Sequence, residues 1–440
     1  MSLMASPCTI NFTDMTIEPL VPSQAWHRYT KIQQFKLRPE AEIDGVNYAR
    51  VVASHLYDES IWGLLKKVAL ALCFSPRLTA SRSKQPLLLF YSHRYKKRAD
   101  YDYVIKHLQA LAGDQGQLIE SNEKFSLFQF WHTLLRLPSA ARAARAYEGG
   151  ILHRFGIALL IAKFHSVAER SAIAIIEGRE RVFTFCDAHP YDNLVAQLAA
   201  LQGVKTVTAQ HGQYRVLDAT NISSDAEAYA NFVSDHMLAW GEATCAEFER
   251  FGVAPERMLV SGWIRAQPEN DLGRDSQGAF GVILNGGNGA ASNLALITAA
   301  NHLSQALGLR YVVRAHPSYG SAGYEKMVNE RCISIGPMTP SDYLGSVDFS
   351  ISHSSSATIE MLLADSPVYV LDDGHIAQIF RTEGLSYNSS EEVLAAVSAD
   401  MIAEDRGRTR VARLKVWFNE DANQVERLRS ALFSDGKRDA

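Results

Sequence analysis

The chain has 440 residues, 47% of them hydrophobic and 21% charged, a balance that suits a globular protein of two domains with sizeable cores. A formal charge of −4 gives no overall electrostatic drive toward nucleic acid and excludes that class of partner at the level of composition. The 5 cysteines form no CxxC pair, which excludes a disulfide or zinc framework and predicts reduced thiols in a cytoplasmic protein.

The opening MSLMASPCTINFTDMT lacks a basic stretch followed by an apolar run, so no signal peptide is expected. VALALCF and GIALLIAKF fall short of the roughly 20 apolar residues of a membrane span and read as buried segments. Residues 1–85 are expected to be an amino-terminal extension, partly helical, with a helix at DESIWGLLKKVALALCF. That helix is core-facing by its pattern, with a membrane-surface position as the alternative. PLLLFYS then reads as a buried parallel strand, HRYKKR as a basic loop, and YVIKHLQALAG as a helix. The loop is either solvated or a landing place for an anionic acceptor. The stretch from Phe125 to Arg170 reads as helical throughout.

Strand RVFTFCDA, helix YDNLVAQLAALQG and strand VKTVTAQHG make a βαβ unit, and HMLAWG, CAEFERFG and RMLVSGW continue the alternation. The boundary is predicted in the polar segment RAQPENDLGRDSQG. A second series follows: GAFGVIL, a glycine-rich turn, a helix, LRYVVRAHP, CISIG, FSISHSSSATIEMLL and PVYVLDDG. Ser389 and Glu392 form a capping box before the last helices. The result is α/β, with two doubly wound domains at 86–265 and 278–440. Such sheets bind ligands where strands end, so the cleft between the domains is the expected site.

Three features of the second domain sit at strand ends. In LNGGNGAASN, Gly286, Gly287 and Asn288 precede a helix whose free N–H groups favour an anion, though the bland reading is a tight turn. His316 ends a strand that Pro317 cannot continue, and an imidazole there can donate to phosphate or stay structural. Ser354, Ser355 and Ser356 open a helix containing Glu360; at least one serine is an N-cap, and three hydroxyls also make a phosphate cradle.

This order of glycine turn, strand–His–Pro and serine cluster resembles the carboxyl-terminal domain of GT-B-fold glycosyltransferases. The likeness is to those of bacterial capsule and lipopolysaccharide assembly that use CMP-activated Kdo or sialic acid. AQHG, followed by SDHMLAWG, is similar to the amino-terminal domain of the same enzymes, and the resemblance covers about residues 182–373. It implies two Rossmann-like domains facing each other across a cleft, and a CMP-sugar as substrate with no cofactor or metal. The implied acceptor is a glycan or lipid-linked oligosaccharide, met in the cytoplasm with peripheral contact at the inner membrane. His316 and Pro317 would be the donor motif, the three serines and Gly286 to Asn288 would face phosphate or sugar, and Glu360 would meet ribose or support the loop. CDP-polyol phosphotransferases share the His-Gly and His-Pro pattern and are the alternative reaction. A non-catalytic sugar-nucleotide-binding scaffold is the alternative from another class. The acidic triplet of polysialyltransferases has its only counterpart in Asp372-Asp373-Gly374, which reads as a strand-end turn.

His211 would face the acceptor. The base is open among His211, Glu148, Asp187, Asp218 and Asp235, with Asp187 and Asp235 as candidate nucleophiles for a retaining reaction.

Overall fold

The computed structural model describes residues 23–57, 61–76, 78, 85–93, 99–213, 222–265, 278–286, 290–317, 320–321, 323–405, 407–418 and 424–433. The linker from 266 to 277, the basic residues 94–98, Gly287, Asn288 and Asp218 therefore lie outside the described residues.

Fifteen strands follow in chain order: β1 (Glu42–Ile43), β2 (Val46–Asn47), β3 (Phe74–Pro76), β4 (Leu87–His93), β5 (Gly116–Phe125), β6 (Arg181–Thr184), β7 (Lys205–Ala209), β8 (His236–Ala239), β9 (Met258–Val260), β10 (Ala279–Ile283), β11 (Arg310–Arg314), β12 (Cys332–Gly336), β13 (Ser350–Ser352), β14 (Val368–Leu371) and β15 (Ser386–Tyr387). β1 and β2 form a small hairpin, and the rest build two sheets. The first has the order β3-β5-β4-β6-β7-β8-β9, parallel except that β3 runs antiparallel to β5. The second, β12-β11-β10-β13-β14-β15, is parallel throughout. In both, the strand order reverses beside the first parallel strand: between β4 and β6 in one sheet, between β10 and β13 in the other. A crevice opens outside the strand ends at such a reversal.

The parallel strands are apolar runs because helices cover both faces. Leu87 to Tyr91 are all buried, as are Phe280, Val282 and Ile283. β5, GQLIESNEKF, escapes the sequence reading because its polar pattern offers no such run. The expected continuous helix after it is two, Leu127–Ala144 and Ile151–Val167, broken at Gly149 and Gly150. The second continues to Ile176 through a π-helical turn. Ile151–Ile176 is long and apolar enough to cross a membrane, yet 72% of its most apolar window is buried inside the protein.

Residues 23–57 pack into the first domain's core. Ile32, Phe35, Tyr48 and Val52 share one apolar cluster with Leu88, Phe90, Val182 and Leu194. A buried ion pair also ties the Gln24–Lys36 helix to the Rossmann body: Lys36 Nζ donates to Glu227, whose other partners are Tyr57 Oη at 2.8 Å and Gln33 Nε2 at 3.2 Å.

The last helices cross back over the cleft. Gln424–Phe433 packs on Ala99–Ala112 and β6, and Leu414, Phe418 and Leu428 share a cluster with Phe185 and Trp240 on one side and Ile359 and Phe380 on the other. Gly241, just after β8, is where that crossing seats. A Cβ there would lie 2.7 Å from Phe418 Cα and 2.8 Å from the Trp417 carbonyl carbon. Gly241→Ala is expected to lower stability by about 1–3 kcal/mol through overpacking, read in a denaturant titration. An unchanged midpoint would show that the crossing helix yields freely.

Candidate functional site at the cleft between the domains

In the first domain, β7 ends at Ala209 and Gln210 turns the chain. The buried Gln210 side chain accepts from Trp240 N at 2.7 Å and Thr244 Oγ1 at 2.8 Å, and its Nε2 donates to the Gly212 carbonyl at 3.0 Å. These bonds fix the post-strand turn against the end of β8 and so set where His211 stands. The His211 ring lies 6.3 Å from Phe185 and from His189 and 6.5 Å from Tyr101, with Nε2 3.9 Å from Cys186 Sγ. Burial pushes the Cys186 thiol up and keeps it protonated, so it does not compete as a nucleophile.

In the second domain, registration aligns three strand ends. Ile283 pairs with Arg314 on one side and Ser352 on the other. Asn285, His316 and Ser354 each stand two residues beyond that row. Ser355 is the N-cap of the Ser356–Leu363 helix, its Oγ accepting from Ala357 N at 3.3 Å. Ser356 Oγ accepts from Gln213 N of the other domain at 3.1 Å. A Cβ added at Gly212 would meet Ser356 Oγ at 3.9 Å. The His211 turn and the serine cluster therefore face each other directly.

Two polar groups at this place are buried without a hydrogen-bond partner among the described residues: Ser354 Oγ and Asn285 Nδ2. Leaving such a group unpaired costs about 1–3 kcal/mol, which a ligand oxygen can relieve. The helix start behind Ser354 adds unpaired N–H groups and a partial positive charge.

Other expected residues have different duties. Glu360 Oε2 accepts from Arg314 Nη1 at 2.9 Å, so it buttresses the end of β11 beneath His316. The His316 carbonyl accepts from Gly320 N at 2.9 Å, closing the turn after Pro317, which is exposed. Gly286 begins the loop after β10 and is half-buried.

Three carboxylates are not placed to act as base or nucleophile. Asp187 is buried, with Oδ1 accepting from Thr184 Oγ1 and Ser234 Oγ and Oδ2 from Val233 N and Ser234 N, at 2.7 to 3.0 Å. It staples the chain before β8, and burial raises its pKa against those bonds. Asp235 Oδ2 accepts from Thr206 N and Oγ1 at 2.8 and 3.0 Å. That is the amino end of β7, on the order of 15 Å of extended chain from His211. Glu148 lies on the connection between the two long helices, exposed and 3.8 Å from Arg38. Asp187 and Asp235 share one physical reason: a short acidic side chain at a strand end accepts from the backbone N–H groups within its reach.

Asp372 accepts from Gly374 N at 2.7 Å and is paired bidentately with Arg381, which holds its carboxyl below the usual range; Gly374 has φ 83°. This is a turn built on its own charges.

Sequence reasoning passed over four residues. Gln210 has been described. His353, beneath the serines, joins three segments: Nδ1 is 2.6 Å from the Leu371 carbonyl and Nε2 2.7 Å from that of Ser292. The buried Arg265 guanidinium stands 5.7 to 6.0 Å from the Tyr101, Trp240 and Trp263 rings, and the Tyr101 ring also faces His211 at 6.5 Å. Asp192 sits at the first sheet's reversal, accepting from Phe185 N at 3.0 Å, Cys186 N at 3.3 Å and Ser92 Oγ. Gln210 and His353 lie inside the quoted stretches AQHG and FSISHSSS, where the neighbouring histidine and serines carry the reading, and no motif marks Arg265 or Asp192.

Burial pushes the Asp192 carboxyl up to about 8, outweighing its hydrogen bonds. With an ordinary value of 3.8 in the unfolded chain, the native state holds a proton that the unfolded state releases between about pH 4 and 8. The stabilisation is complete below about pH 4 and fades as pH rises toward 8, at up to about 1.4 kcal/mol per unit. Asp192→Asn, which keeps the acceptor and gains a donor toward Ser92, is expected to flatten unfolding free energy over that window. A slope identical to wild type would refute the assignment.

Asp44, His165 and Glu169 bring potential metal-ligand atoms within 4.8 Å of one another. Nε2 of His165 lies 3.2 Å from Asp44 and 3.4 Å from Glu169, and Arg136 is paired with the other Glu169 oxygen at 2.5 Å, so these side chains serve one another as polar partners.

No protein-family model matches the sequence, and no curated protein is similar to it at a significant level. Solved structures are similar in fold. The S. aureus MnaA–UDP complex superposes with a TM-score of 0.50 at 11% identity, over 77% of this chain and 94% of the other. The UDP-GlcNAc 2-epimerase of Neisseria meningitidis bound to UDP-GlcNAc gives 0.50 at 10% identity, over 79% and 99%. At such identities the likeness speaks for the fold. Together with the two reversed parallel sheets and the helices that cross between them, it makes this chain a GT-B fold, two Rossmann-like domains facing each other across a cleft.

Proposed function

We propose that the chain is a glycosyltransferase that takes a sugar, of the Kdo or other ulosonic acid class, from a CMP-activated donor to a glycan or lipid-linked acceptor in bacterial lipopolysaccharide or capsule synthesis. The observation that carries it is the meeting of Ser356 with the His211 turn across the cleft, beside the Ser354 hydroxyl, buried and without a partner among the described residues. Donor phosphate would rest on the Ser356–Leu363 helix start, with Ser354, Ser355 and His316 as donors and Gly286 close to the sugar. Preorganised donors of this kind neutralise a leaving phosphate without bound metal or cofactor. His211 would then take the proton of the acceptor hydroxyl, since Asp187 and Asp235 are held by backbone and hydroxyl donors and Glu148 stands exposed beside Arg38. This reading places the work in the cytoplasm, at the inner membrane.

A uridine nucleotide is the second reading, favoured by the UDP and UDP-GlcNAc ligands of the similar structures. A thermal-shift panel of CMP, CDP, UMP, UDP and GDP separates the readings, because stabilisation follows RT ln(1 + [L]/Kd). Stabilisation by CMP above the others is expected. A CDP preference turns the reading to the polyol phosphotransferase and a UDP preference to the uridine enzymes, while no response to any nucleotide overturns the nucleotide-binding readings together. In the same assay Ser354→Ala is expected to raise the nucleotide-free melting temperature, by removing an unpaired buried hydroxyl, and to weaken nucleotide stabilisation. Loss of the nucleotide-free stability would show the hydroxyl to be structural.

A further inference from the structure

The helices Ile61–Cys73, Leu127–Ala144 and Ile151–Val167 pack on one another on the first domain, with Leu64 and Val68 seated over Gly156. Their outward stripes are apolar where a surface helix is normally polar. Leu127, Trp131 and Leu135 recur at four-residue spacing and are 65–69% exposed. Ile151 and Phe155 repeat that spacing on the next helix, and Trp62 on the third is 77% exposed. Buried residues on the other sides of the same helices already form the core, so these side chains are surplus to it.

Charge says what covers them. The 13, 18 and 17 residues of the three helices include no aspartate or glutamate, although the chain carries 48. Their exposed charged residues are cations, among them Lys66, Arg142 and Arg154. Of the acids adjoining them, Glu169 is paired with Arg136 and Glu123 with Lys163, while Glu148 on the connection stands 3.8 Å from Arg38 and Asp44 3.2 Å from His165. Exposed tryptophan and leucine interleaved with cations, with acids excluded, complement an anionic lipid surface, where apolar side chains enter the acyl boundary and cations meet headgroups. An apolar protein partner does not call for that exclusion.

We propose that these three helices form a docking face for the anionic surface of a lipid bilayer, with Trp62, Trp131 and Leu135 as its inserting residues. The proposal deepens the inner-membrane location of the reading above, on which it rests, by naming the surface that meets the lipid, and it uses no residue of the cleft. The test is co-sedimentation of the full chain with vesicles of phosphatidylglycerol and phosphatidylcholine, and with phosphatidylcholine alone. Binding to the mixed vesicles, weakened by salt and by phosphatidylcholine alone, is expected. The Trp131→Glu, Leu135→Glu double variant should lose affinity by about tenfold or more. Its far-ultraviolet spectrum and nucleotide-induced thermal shift should match wild type, which separates failure of this proposal from failure of the nucleotide reading. Absence of binding to the mixed vesicles, or equal binding by the double variant, overturns the proposal. So does a concentration-dependent dimer in sedimentation velocity that the double variant abolishes, which would give the face to a second copy of the chain.

Discussion

His211→Ala is expected to lower turnover by about 10²–10⁴-fold, the usual contribution of a general base, while CMP still raises the melting temperature as it does for wild type. The split follows from the geometry. His211 stands at the end of β7 on the first domain, held by the bonds of Gln210 to Trp240, Thr244 and Gly212. The donor groups stand on the second domain, at the ends of β10, β11 and β13. Removing the imidazole leaves the serine cradle and the Gln213–Ser356 contact in place, because that contact uses the backbone N–H of Gln213. Turnover measured by release of the nucleotide and melting by fluorescence are the two readouts. Unchanged turnover would remove His211 from the reaction. Equal loss of both readouts would mean that it binds donor.

Lys36→Met is the substitution with the largest expected effect on stability, about 3–5 kcal/mol. Lys36 and Glu227 have side chains only 2% and 0% exposed. Burial pulls the lysine down to about 8, more than the attraction of Glu227 pulls it up, so the pair is costly to bury yet worse to break. Without the ammonium, Glu227 keeps Tyr57 and Gln33 as neutral donors but loses its countercharge. The double variant Lys36→Met, Glu227→Leu should recover most of the loss, since replacing both partners by apolar groups of similar volume is close to neutral or stabilising. Chemical denaturation of the two single variants and the double gives the coupling energy. Additive losses would show that the two residues do not act as a pair.

Both effects arise from contacts that no local pattern announces. The parallel strands were legible because burial on both faces makes them short apolar runs, and the chemistry-bearing turns because glycine, proline and serine clusters mark strand ends. The capping serine of the late helix was legible for the same reason, with Ser389 Oγ accepting from Glu392 N at 3.2 Å, although the glutamate reaches Asn388 N. β5 was not legible, because polar side chains leave it without an apolar run and its pairing with β3 and β4 stabilises it from a distance.

The sequence by itself determined the α/β alternation and placed His211, His316 and the serine cluster at strand ends, since strand termini are local events written in a few residues. Only the tertiary structure decided which of those ends meet. It set Ser356 against Gln213 and left the Ser354 hydroxyl buried without a partner among the described residues. It turned Asp187, Asp235 and Glu360 into struts, because a carboxylate is claimed by whichever donors folding brings within reach. It also exposed Trp131 and Leu135 on a helix that the sequence marks only as helical, since which stripe faces water depends on the neighbours that pack against the other.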